Sequence, residues 1–322
     1  MKKFFLFIAV LVLSTRAFGW GFYAHQRINY LAVFLLPPEM MVLYKPNIQF
    51  LSDHAVDPDK RRYIVLTEAP KHFIDIDFYG KYPYDSLPRR YDAATQKFTE
   101  DTVIAQGIVP WWIQIMQLRL TKAFEEKNVA KILKLSAEIG HYIADSHVPL
   151  HASSNHNGQA TNQRGIHGFW ESRIPELLAD KEFDFMIGKA KYVQNIGDYV
   201  WKRVLESGAA ADTVLTYEAK LSKEFSGDGK YAFEERNGKI VRQYSSQYTI
   251  AYNKMLGGMV ERRMRLSIAS VANFWYTAWV NAGQPDLKSL KPLPFTEEDL
   301  KEFEALNNAW KNSNLKGREH DD

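Results

Sequence analysis

The segment from Asn128 to His151 constrains the fold more than any other. Ile132, Leu135, Ile139, Tyr142 and Ile143 recur at the spacing of one helix face, with Asn128 as a cap and Pro149 as a stop. On that helix His141 and Asp145 stand four residues apart, so they project from one face about one turn apart. The run His167-Gly-Phe-Trp-Glu171 repeats the pairing of an imidazole with a carboxylate at the same interval. Converging nitrogen and oxygen donors on helices that also bury apolar side chains point to a metal site. Neutral imidazole and carboxylate are the usual non-sulfur donors for zinc, and the chain has no cysteine.

The rest of the chain reads as helices separated by breakers. Ile28, Leu31, Ala32 and Leu35 predict a first helix over 22–36, ended by Pro37-Pro38 and carrying His25 near its start. A short helical stretch from Pro38 to Tyr44 leads to Asn47–Val56 and the turn-forming Asp57-Pro58-Asp59. Residues 72–77 alternate with period two and read as an extended segment or a helix start, and 79–97 as loop. Val103, Ile108, Trp112, Met116 and Leu120 predict helix over 101–126, kinked or restarted at Pro110. Residues 189–206 and 247–282 read as helices, the second interrupted at Gly257-Gly258, and Thr296 to Asp299 opens a last one with capping-box chemistry. The region 208–242 is less regular. With no internal repeat or linker, the expectation is an all-α fold: a single multi-helix domain over 20–322, built around a metal site.

Residues 1–19 read as a signal peptide. Lys2 and Lys3 precede an apolar run from Phe4 to Leu13 that is too short to span a bilayer, and Ala17-Phe18-Gly19 offers the small residues of a cleavage site. Cleavage after Gly19 would leave Trp20 first, in the periplasm or outside the cell. The leader holds Lys2, Lys3 and Arg16, so the formal net charge of +3 belongs to it and the mature chain is balanced. No global positive field then argues for a polyanion partner, although Lys60-Arg61-Arg62 is a local basic run. Without disulfides, stability must come from bound metal or from the core, for which 46% hydrophobic residues is ample. No later segment is long and apolar enough for a transmembrane anchor.

These motifs together carry a resemblance. Trp20 with His25, Asp57 with His72, His141 with Asp145, and His151 with His167 and Glu171 resemble the superfamily shared by bacterial zinc-dependent phospholipases C and fungal single-strand nucleases of the S-one/P-one type. The matched motifs cover residues 20–171. The resemblance implies an all-helical fold around a tri-zinc centre whose first ligand is the free amine of an N-terminal Trp. It implies that Trp20, His25 and Asp145 hold one zinc, that Asp57, His72, His141 and Asp145 hold a second with Asp145 bridging, and that His151, His167 and Glu171 hold a third. Asp57 is preferred to its neighbours Asp53 and Asp59 because it precedes His72 by fifteen residues, as in the nucleases. Asp57 and Asp145 are then the catalytic carboxylates, with Asp57 orienting or deprotonating the attacking water. Lys60, Arg61 or Arg62 would lend charge to the transition state or, more simply, form a solvated basic run. His147 and Asp75 are candidates to support the ligands from behind.

Several zinc ions around one phosphate imply hydrolysis of a phosphodiester by zinc-activated water. Glu171 in the last ligand position and the absence of cysteine resemble the phospholipases. The Trp20–His25 and Asp57–His72 spacings resemble the nucleases, as does His72-Phe73-Ile74-Asp75, where the aromatic would stack a base and the acid would hydrogen-bond it. Phe73 and Asp75 are therefore the candidate substrate-binding residues, while Phe73, Trp112 or Trp170 could equally wall a choline-type headgroup. The expectation is an exported zinc-dependent hydrolase of phospholipase C type, acting on phospholipid headgroups with transient membrane-surface contact. The alternatives are a nuclease of the same superfamily, acting on single-stranded nucleic acid, and a zinc-binding protein without turnover.

Overall fold

The computed structural model describes residues 21–225, 227–236, 239–290 and 294–316. The expected leader, residues 1–19, and Trp20 lie outside the described residues. In the N-terminal half, helices α1 (Phe22–Ala32), α2 (Pro38–Tyr44), α3 (Ile48–Asp53), α4 (Asp57–Arg61), α5 (Tyr91–Phe98), α6 (Glu100–Ala105), α7 (Val109–Glu125) and α8 (Val129–Asp145) follow one another. A loop then leads to α9 (Ile166–Gly168), α10 (Ile174–Glu182), α11 (Ile196–Leu221) and α12 (Gly227–Lys230). Strands β1 (Tyr231–Arg236) and β2 (Lys239–Tyr244) precede α13 (Ser246–Met255), α14 (Met259–Asn281) and α15 (Glu297–Asn312). The protein is thus mainly helical, as expected, with one antiparallel hairpin among the described residues, in the region that showed no clear period. No described helix is long and apolar enough to cross a membrane.

Boundaries follow capping chemistry. Asn128 Oδ1 accepts the Lys131 N–H at the start of α8, Asn195 caps α11, Ser245 caps α13, and Thr296 forms a capping box with Asp299 on α15. Pro110 lies in the first turn of α7, so the stripe over 101–126 divides into two helices. Gly257 and Gly258 both take positive φ, 59° and 74°, and separate α13 from α14. The helix expected over 189–206 begins later and runs further. Residues 183–195 instead form a strap, whose Lys191 and Val193 N–H groups donate to Asn273 and Thr277 on α14.

Four helices frame the centre of the core. Trp275 on α14 donates its indole N–H to Ser136 O on α8, and Gln117 on α7 donates to Phe274 O on α14. Helix α1 crosses α8 at Gly140, where an added Cβ would lie 2.8 Å from Asn29 Cγ. Asn29, fully buried, donates to Leu51 O and Ala137 O at 3.0 Å each and so ties α1 to α3 and α8. This close approach brings His25 over His141, with ring centroids 3.8 Å apart and planes 15° from parallel.

Candidate metal centre

Eight donors converge from separate elements. His25 comes from α1, Asp59 from α4, His141 and Asp145 from the last turns of α8, and His167 from α9. His72 ends a 3-10 turn, His151 lies in another over Pro149–Ala152, and Glu171 sits in a π turn over Phe169–Arg173. Such π turns inside helices recur at functional sites. None of the eight is more than 4% exposed.

They form three groups whose candidate ligand atoms all lie within 4.8 Å of one another: His25, His141 and Asp145; Asp59, His72 and His141; and His151, His167 and Glu171. Asp145 joins all three. Its Oδ1 is 3.3 Å from His25 Nε2 and 3.8 Å from His151 Nε2. Its Oδ2 is 3.0 Å from His72 Nδ1 and 3.3 Å from His141 Nε2. Asp59 Oδ1 stands 3.7 Å from His72 Nδ1 and 3.6 Å from His141 Nε2. In the third group Glu171 Oε2 is 3.4 Å from His151 Nε2 and 3.1 Å from His167 Nε2. Tetrahedral zinc with bonds of ~2.0–2.2 Å sets neighbouring donors about 3.3–3.6 Å apart, which is the range these separations bracket.

The imidazoles are oriented from behind. His141 Nδ1–H donates to Ala55 O at 2.8 Å and His151 Nδ1–H to His72 O at 2.7 Å. A carbonyl can only accept, so each ring keeps its Nε2 lone pair for the cluster. His72 presents Nδ1 to the cluster and Nε2 to Glu68 Oε1 at 3.7 Å. Glu68, fully buried, is itself held by Lys71 at 2.7 Å, by Arg61 and by the Tyr142 hydroxyl. Burial opposes its ionisation, yet His72, Arg61 and Lys71 hold its carboxyl far below the usual range. Asn157 Oδ1 accepts from Gly165 N at 2.8 Å and from His167 N at 3.4 Å, fixing the start of α9.

Burial and neighbouring charges pull the cluster's groups in opposite directions. Burial lowers the pKa values of His25 and His151. Burial also works against a charged His141, but Asp145 and Asp59 outweigh it and lift that ring to about 9. Burial pushes Glu171 up to about 7 against the pull of His151. Asp145 stays well below the usual carboxylate range despite burial, because His141 and His151 flank it. Among the described residues, both His25 ring nitrogens, Asp59 Oδ2, Asp145 Oδ1 and both Glu171 oxygens lack a hydrogen bond. Buried polar atoms without partners are costly, and cations held in the three groups would give His25 Nε2, Asp145 Oδ1 and Glu171 Oε2 partners. These buried groups could hold metal ions.

Of the expected donors, His25, His72, His141, Asp145, His151, His167 and Glu171 are brought together. Asp57 is not. Its Oδ2 is 2.5 Å from His54 Nδ1 and its Oδ1 is 3.0 Å from Lys60 Nζ, while Asp59 occupies the place assigned to it. Residues two apart on a helix point about 200° apart, so only one of the two can face the cluster. Trp20 lies outside the described residues, but Gly21 N donates to Glu171 O at 3.3 Å, and a Cβ on Gly21 would meet Ser172 Oγ at 2.6 Å. The basic run is not solvated either. Lys60 and Arg62 are buried beside Asp57 and Asp59, and Arg61 binds Glu68, Glu138 and Glu302.

His147 bonds instead to Ile143 O and to Ser270 on α14. Phe73 and Asp75 are buried in the segment stitched to the His151 turn by Ile74 N–His151 O at 2.9 Å. Trp170 is a core residue, and Trp112 lies between the Lys71 and Arg119 cations at 4.3 and 5.0 Å. No model of a known protein family matches the sequence, and no curated protein matches it.

Proposed function

We propose that the protein is an exported, zinc-dependent phosphodiesterase of the phospholipase C type, related to the superfamily its motifs resemble. The observation that carries this reading is Asp145, one buried carboxylate within 3.8 Å of imidazoles from all three donor groups. On this reading Asp145 and His25 share one zinc, Asp59, His72 and His141 hold a second together with Asp145, and His151, His167 and Glu171 hold a third. Zinc bound there supplies Lewis-acid charge to phosphoryl oxygens and acidifies water near neutral pH.

The residues do the rest. Asp59, rather than Asp57, is the carboxylate placed to orient the attacking water and take its proton, since both oxygens of Asp57 are engaged elsewhere. The contact of Gly21 with Glu171 supports a terminal amine at Trp20 as a further ligand once the leader is removed. Glu171 and the balanced charge of the mature chain favour a phospholipid over a polyanionic strand.

The test compares zinc-loaded protein beginning at Trp20 on phosphatidylcholine, single-stranded DNA and RNA. The expected result is lipid hydrolysis abolished by chelator and by Asp145→Asn. Cleavage of the strands with the lipid left intact would establish the nuclease reading. Full zinc content with no turnover of any phosphodiester would make it a binding protein.

A further inference from the structure

We propose that His156 is a catalytic residue that donates a hydrogen bond to a phosphoryl oxygen of the substrate at the third donor group, a proposal that rests on the phosphodiesterase reading of the metal centre. The His156 ring stands against that of His167, with centroids 6.1 Å apart and planes at 75°. It is not among the donors that converge within 4.8 Å of one another, so it neighbours the third group without belonging to it. None of the eight donors is more than 4% exposed, whereas His156 is partly exposed. The third group therefore has an imidazole neighbour that also meets solvent, the side from which a substrate arrives.

The loop around His156 is pinned on both sides. Asp77 accepts from Ser154 N at 2.9 Å and from the Ser153 and Ser154 hydroxyls at 3.0 Å each. Asn155 Oδ1 accepts from Ala160 N at 2.8 Å, and Asn157 Oδ1 from Gly165 N at 2.8 Å. Gln159 then fixes which ring nitrogen of His156 carries the proton. Asn157 N–H donates to Gln159 Oε1 at 3.0 Å, so the amide is oriented with its Nε2 as the donor. That Nε2 donates to Ser154 O at 2.6 Å and lies 3.3 Å from His156 Nδ1. Ser154 O is also 3.4 Å from Nδ1, but a proton there would face the second Gln159 N–H. Nδ1 is therefore the acceptor, and the neutral ring carries its proton on Nε2. Phosphoryl transfer spreads charge over oxygens that can only accept, and an N–H donor already in place stabilises that charge with no proton changing hands.

The test uses zinc-loaded protein beginning at Trp20, with bis-p-nitrophenyl phosphate as substrate and inorganic phosphate as a ligand followed by calorimetry. His156→Ala should lower kcat about 10–100-fold and weaken phosphate binding, with zinc content unchanged. His156→Gln, whose amide nitrogen can take the place of Nε2, should recover most of both, which a merely structural role would not produce. Nitrogen-15 NMR of the His156 ring should show the proton on Nε2, and Gln159→Leu should release that preference. Wild-type kcat and phosphate affinity in His156→Ala overturn the proposal, as does loss of zinc from that variant or a proton found on Nδ1. Phosphate binding that depends on His156 in a protein that turns over no phosphodiester upholds the donor and overturns the hydrolase reading instead.

Discussion

Replacing Gly140 by alanine tests whether the centre depends on the close crossing of α1 and α8. In an ordinary helix the change stabilises by about 1 kcal/mol. Here the new Cβ would clash with Asn29 Oδ1 and stand 2.8 Å from its Cγ, and Asn29 cannot swing away without losing its bonds to Leu51 O and Ala137 O. Overpacking of this kind costs ~1–3 kcal/mol, and two broken buried hydrogen bonds add roughly 1 kcal/mol each. The net expectation is destabilisation by roughly 2–4 kcal/mol, read by urea denaturation of the chelated protein so that metal does not contribute. Metal affinity should fall as well, because moving α1 outward takes His25 off His141 and away from Asp145, now 3.3 Å distant. In an Asn29→Ala background the obstruction is gone, and Gly140→Ala should become neutral or stabilising. A Gly140→Ala protein as stable as wild type would refute the reasoning.

Asp59→Asn should lose metal from the group it shares with His72 and His141, whereas Asp57→Asn should keep its metal and lose stability through His54 and Lys60; elemental analysis of both proteins separates the two roles. Glu68→Gln strips the carboxylate from a buried set that includes Arg61, Lys71 and His72, and should cost about 3–5 kcal/mol in denaturant unfolding. Acid sensitivity should depend on His147, which burial lowers to about 3. Below the unfolded value of about 6.5 the unfolded chain takes up this proton and the folded one does not, so stability falls as pH drops from there towards 3. The chelated His147→Gln protein should lack this part of the slope, about 1.4 kcal/mol per pH unit, in unfolding measured across that window. Equal slopes for the two proteins would show that His147 takes up its proton in the fold.

Much of the fold was legible because it is local. The apolar stripes of α1, α7, α8 and α14 follow the helical period, and the His141–Asp145 and His167–Glu171 pairs lie within single turns. Asp59 was not legible, since the choice between Asp57 and Asp59 depends on the rotational phase of a five-residue helix that only packing decides. The pairing of Arg61 escaped because its partners Glu138 and Glu302 are far away in the chain, and that of Lys60 and Arg62 with Asp57 and Asp59 because only packing decides that the short helix is buried. Glu68 becomes a support for His72 only through the packing that buries both. The hairpin did leave a signal, Asn237-Gly238 between two six-residue segments rich in aromatic and β-branched residues, which is a standard two-residue turn sequence.

The central claim is that the buried histidines and carboxylates joined by Asp145 hold zinc. Elemental analysis of the mature protein, purified without chelator and followed through chelation by thermal unfolding, tests it most directly. The account predicts about three zinc ions per chain, with their removal lowering the unfolding temperature. Protein that carries no zinc, and whose unfolding is the same with and without chelator, would contradict it.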